Sequence, residues 1–70
     1  MRIELNGDPL ELEDGATLEA VVRESGIGGG ARGVAVAVDG EVVPRAEWLS
    51  TALAGGERVE VLAAIQGGAR

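Results

Sequence analysis

Few side chains in this sequence could do chemistry, and the candidates fall into three groups. The first is the run Gly26-Ile27-Gly28-Gly29-Gly30-Ala31, which fits the pattern G-x-G-x-x-A. Such a run cradles a pyrophosphate when it follows a strand and opens a helix, so that the helix N-terminus faces the anion. Here it follows a helical stretch and opens a strand, and it lacks the Gly-Lys-Ser/Thr ending of a phosphate loop. It reads as a mobile connector. The second group is acidic: Glu11, Glu13 and Asp14, and separately Glu57 and Glu60. Paired carboxylates can serve acid–base chemistry or hold Ca²⁺. These alternate with apolar positions and show no ligand-loop spacing, so they read as a solvated face. The third is Gly67-Gly68. A glycine pair has no side chain to clash in a narrow channel, so it suits a tail entering another protein's active site. From Ala64 to Gly68 an extended tail reaches roughly 15 Å.

What is missing narrows the choice further. The 70 residues contain no Cys, His, Lys, Phe or Tyr, and one Trp is the only aromatic. That excludes disulfides, a thiolate nucleophile, cysteine-bound zinc and an imidazole base. No Schiff-base lysine is available either. Twelve acidic residues against six arginines give a net charge of −6. An acidic chain without lysine or stacking aromatics is a poor nucleic-acid binder. No apolar run approaches a bilayer span, and the N-terminus lacks a signal-peptide pattern. These features point to a cytoplasmic protein with no bound metal or cofactor of its own.

The elements that would position the glycine pair can be read from periodicity. Met1 to Asn6 alternates with period two, Asn6-Gly7-Asp8-Pro9 reads as a turn, and Leu10 to Glu13 alternates again. This predicts a hairpin with Ile3, Leu5, Leu10 and Leu12 on one face. Thr17 is the expected N-cap of a helix over Leu18–Ser25, with Leu18, Val21 and Val22 forming its apolar stripe. Gly26 suits the helix end. Val34–Val38 is the clearest strand, Asp39-Gly40 a two-residue turn, and Glu41–Val43 a short return stopped by Pro44. Residues 46–54 read as a turn or short 3₁₀ helix in which Trp48 and Leu53 pack down. Trp48 is expected in the core, with Arg45 bridging carbonyls or carboxylates. Arg58–Ala63 is the last strand. The domain is expected over residues 1–65, with a flexible tail over 66–70.

This order predicts an α+β, ubiquitin-like β-grasp: a mixed sheet of four to five strands with one main helix and the last strand parallel to the first. Alternation then makes a further prediction. If Val34, Val36 and Val38 face the helix, Ala35 and Ala37 face outward. Val59 and Val61 point inward on the last strand, so Leu62 points outward beside them. The patch Ala35, Ala37 and Leu62 is a candidate docking surface, although isolated surface alanines need no explanation.

The strand V-A-V-A-V, the segment V-V-P-R-x-x-W (Val42 to Trp48) and the ending G-x-x-V-E-V-x-x-A-x-x-G-G (Gly56 to Gly68) resemble the ThiS family of sulfur carrier proteins of thiamine biosynthesis. Asn6-Gly7 and Thr17-Leu18 fit the N-terminal half of that family. The resemblance implies a substrate and not an enzyme. It implies that Gly68 is the sulfur-carrying carbon and that Gly67 supplies clearance. It implies a ThiF-like adenylating enzyme using ATP and Mg²⁺, and a ThiG-like thiazole synthase as receiver.

The sequence departs from that pattern by continuing to Ala69-Arg70. Gly68 within a peptide bond has no free carboxylate, so a C-terminal processing peptidase is expected. The alternatives are an inactive form, use of Arg70 itself, or two residues foreign to the native chain. The rival functions are a sulfur carrier for molybdopterin, cysteine or a secondary metabolite, and a non-reactive β-grasp interaction module. An autonomous enzyme is disfavoured because no nucleophile–base pair exists.

Overall fold

Two tight turns set the register of the sheet. In the computed structural model, which describes residues 1–27 and 33–64, Asn6-Gly7 joins β1 (Arg2–Leu5) to β2 (Asp8–Glu11). Asp39-Gly40 joins β3 (Gly33–Val38) to β4 (Glu41–Val42). Asn6 (φ 52°) and Asp39 (φ 50°) both adopt the left-handed conformation that a type I′ hairpin turn requires. The first turn is tighter than the sequence suggests. Leu5 pairs with Asp8, so Asp8 and Pro9 belong to β2. Pro9 is tolerated because β2 is an edge strand, where a missing N–H costs no ladder bond on the outer side.

The helix α1 spans Leu18–Ser25, as its capping residues predict. The Thr17 Oγ1 accepts from the Ala20 N–H at 3.3 Å, and Gly26 ends the helix in the left-handed conformation. A 3₁₀ turn over Arg45–Glu47 follows β4, and β5 (Arg58–Ala64) closes the fold.

The strand order is β2-β1-β5-β3-β4. β5 runs parallel to β1 and antiparallel to β3, which places the last strand at the centre of the sheet. A mixed five-stranded sheet of this order with one helix is the expected β-grasp. Leu18 and Val21 of α1 are buried with Ile3, Val36, Val59 and Val61 from the sheet, and with Trp48 and Leu53 from the connection. Leu5, Leu10 and Leu12 pack against this core from the first hairpin. Domains this small bury only about 60% of their unfolded surface, so these few side chains carry most of the stability.

Some boundaries differ from the sequence reading. β4 ends at Val42, one residue early, because Val43 keeps only half of its place in the ladder. Its N–H donates to the Val36 carbonyl at 2.8 Å, and its carbonyl accepts from the Trp48 Nε1 at 2.8 Å. Ala64, one residue beyond the strand expected from the pattern, extends β5 by pairing with Gly33. The glycine connector at 28–32 and the tail residues 66–70, with Gly67 and Gly68, lie outside the described residues.

Candidate functional site

The outward face of the sheet carries the candidate site. Ala35 stands opposite Leu62, and Ala37 is flanked by Glu60 on β5 and Val42 on β4. Paired residues in a ladder share a face, and Val36 and Val61 are buried on the other one. Alternation therefore places Ala35, Ala37 and Leu62 together, as expected. Leu62 is 69% exposed, Ala35 is exposed, and Ala37 is half-buried.

Val42 belongs to the same patch and is not evident from the sequence. It is 74% exposed and registered against Ala37. Only the hairpin register assigns its face, because a two-residue strand has no periodicity to read. The apolar group is bordered on the same face by Glu60, with Arg58 and its pairing partner Glu4 further along. An exposed valine and leucine on a sheet of small residues form a flat apolar surface with a polar edge, as docking patches do.

The same strand leads from the patch toward the glycine pair. Leu62 is two residues before the end of β5, and Gly68 follows Ala64 by four positions. Docking on Leu62 would thus place a partner two residues from the end of β5.

The other candidates have structural roles. Arg2 pairs with Glu11 at 3.6 Å, and the N-terminal ammonium pairs with Asp14 at 3.3 Å. Glu57 accepts from the Ala54 N–H at 2.8 Å, which closes the turn before β5. Among the described residues no group of three or more potential ligands could hold a metal ion. Trp48 is buried, as expected. Arg45 places its guanidinium 5.1 Å from the centroid of the Trp48 ring, a cation–π contact in place of the expected bridge to carbonyls or carboxylates. Among the described residues no helix is long and apolar enough to cross a membrane.

Comparison with known proteins agrees with the fold. A family model described as the ThiS family matches residues 3–68. Among solved structures, the chain is similar to the thiamine biosynthesis protein ThiS from Geobacter metallireducens. The TM-score is 0.78 at 26% sequence identity, over 97% of this chain and 100% of that one. No curated protein matches the chain. The β-grasp topology, the full-length structural likeness and the family match lead to one conclusion: the chain belongs to the ThiS family, whose members are small sulfur carriers, not enzymes themselves, that work with adenylating and sulfur-transfer partners.

Proposed function

We propose that this chain carries sulfur as a thiocarboxylate on Gly68 and delivers it for thiazole formation in thiamine biosynthesis. The observation that carries this reading is the extent of the family match, which stops at residue 68, the second glycine of Gly67-Gly68. The similarity to a thiamine biosynthesis protein supports the pathway.

The chemistry explains why the chain needs no reactive side chain. A carboxylate is a poor electrophile because its charge is delocalised over two oxygens. A ThiF-like partner would use ATP and Mg²⁺ to join the Gly68 carboxylate to AMP, releasing pyrophosphate. Hydrosulfide would then add to the acyl carbon, AMP would leave, and loss of a proton would give the thiocarboxylate. That sulfur is the nucleophile presented to a ThiG-like synthase. The chain itself contributes a docking face at Ala35, Ala37, Val42 and Leu62, and a tail whose glycines Gly67 and Gly68 clear a narrow channel. The ATP and Mg²⁺ are used by the partner.

Ala69-Arg70 blocks this sequence of steps until it is removed, because Gly68 in an amide linkage offers no carboxylate. A chain ending at Gly68, incubated with its adenylating enzyme, ATP and sulfide, should gain about 16 Da by mass spectrometry, the difference between sulfur and oxygen. The 70-residue chain should gain nothing unless a peptidase is added. A gain by the 70-residue chain alone would overturn the proposal.

A further inference from the structure

Asn6 is the only asparagine in the chain, and its side chain acts as a strand residue. Its Oδ1 accepts from the Val61 N–H at 2.9 Å, and its Nδ2 donates to the Val61 carbonyl at 3.3 Å. The contact joins positions 55 residues apart.

The ladder explains why an amide is needed. In the parallel β1–β5 pair, the Glu4 N–H donates to the Glu57 carbonyl and the Asn6 N–H to the Val59 carbonyl. The odd-numbered residues of β5 therefore turn their main-chain groups toward β1. Val61 is next in that series, but at Asn6 the main chain bends into the turn with φ 52°. The Asn6 N–H is committed to Val59, and Val61 meets the side chain of Asn6 in place of its carbonyl. The side-chain amide supplies the missing donor and acceptor together.

Asp39 provides the contrast. It holds the same conformation in the second turn and meets β5 at Arg58. There its main-chain N–H donates to the Arg58 carbonyl at 2.7 Å, and its carboxylate accepts from the Arg58 N–H at 2.8 Å. An acceptor suffices at position 39, because the donor comes from the main chain. At position 6 that N–H is already committed to Val59, so an aspartate would leave the Val61 carbonyl facing a carboxylate.

We propose that Asn6 is a positioning residue for sulfur loading: its amide extends the β1–β5 ladder to Val61, so that β5 beyond Val59 is held from both sides, by Asn6 on one edge and by β3 on the other. This rests on the carrier function proposed above. The amide lies on the ladder line and not in the docking patch. Its loss leaves the patch side chains in place but leaves β5 beyond Val59 held by β3 alone, which loosens the end of the strand. Fewer docked chains then hold the terminal carboxylate in line for reaction, which lowers kcat more than it raises KM.

The test compares Asn6→Gly with Asn6→Asp. Glycine keeps the left-handed turn and removes the amide, whereas aspartate keeps the shape and loses the donor. Two readouts are needed: amide hydrogen exchange of the free 70-residue chain, and pyrophosphate release with the adenylating enzyme, using the form that accepts sulfur. In Asn6→Gly the Val61 amide should exchange on the order of tenfold faster, with Ile3 and Val36 amides within about twofold. Its kcat should fall about three- to tenfold with KM within about twofold, and Asn6→Asp should fall at least as far. Unchanged kcat with faster Val61 exchange would reduce Asn6 to a structural role and overturn the proposal. Unchanged exchange would overturn it as well. If the wild-type chain releases no pyrophosphate, the carrier reading itself has failed, and this proposal fails with it.

Discussion

Leu62 faces Ala35 across the antiparallel β3–β5 ladder, and both turn away from α1 on the sheet surface nearest the exit of β5. A carboxylate at this point would enter any apolar interface without a partner and would stand beside Glu60 on the same face. Leu62→Glu should raise KM for the adenylating partner at least about tenfold, the range of a central interface residue. Its melting temperature should stay within about 3 °C, because changes to exposed side chains shift stability little. Steady-state kinetics and a circular dichroism melt check both. A large drop in melting temperature would place Leu62 in the core instead.

Leu18 tests the core. It is fully buried between α1 and the sheet. Leu18→Ala should cost about 2–5 kcal/mol, as buried leucine truncations do. Small domains hold only about 0.05–0.15 kcal/mol per residue, so this is a large share of the total. Urea titration should show a much lower midpoint.

The Arg45–Trp48 contact can be measured by a double-mutant cycle. Trp48→Phe removes the donor to the Val43 carbonyl and should cost about 1–3 kcal/mol. Arg45→Ala should cost about 0.5–1 kcal/mol in the wild-type background and nearly nothing in a Trp48→Leu background, where the ring face is gone. Equal costs in the two backgrounds would rule out the ring as the partner of the guanidinium.

Thr17 is tested by rescue. Thr17→Ala should destabilise the domain by about 1 kcal/mol through loss of the cap on the Ala20 N–H. Thr17→Ser should restore most of it, because the hydroxyl is what caps. Thermal melts of the three proteins would show the order Thr, Ser, Ala.

The readable parts of the fold were those whose cause is local. Thr17 and Gly26 bracket α1 because capping chemistry acts within one helical turn. The alternation of Val34 to Val38 gives the faces of β3 directly, and with them the outward Ala35 and Ala37. Other features depend on partners distant in sequence. Pro9 looks like a turn residue until the edge position of β2 is known, and Val42 acquires a face only from its register with Ala37. The Asn6–Val61 contact was hidden for the same reason, since nothing near Asn6 indicates which strand its amide will meet.

The central place of β5 also bears on how the chain is made. Ribosomes release the N-terminus first, yet the strand between β1 and β3 is the last of the described elements to be synthesised. Until Val59 and Val61 emerge, Ile3, Leu18 and Val36 lack the middle of the surface they pack against. The hairpins and α1 can form early, but the sheet closes only when its final segment arrives, a long-range step that slows folding. Partial translation products therefore lack the strand that completes the domain. A chain that has folded has, by the same step, set Leu62 beside Ala35.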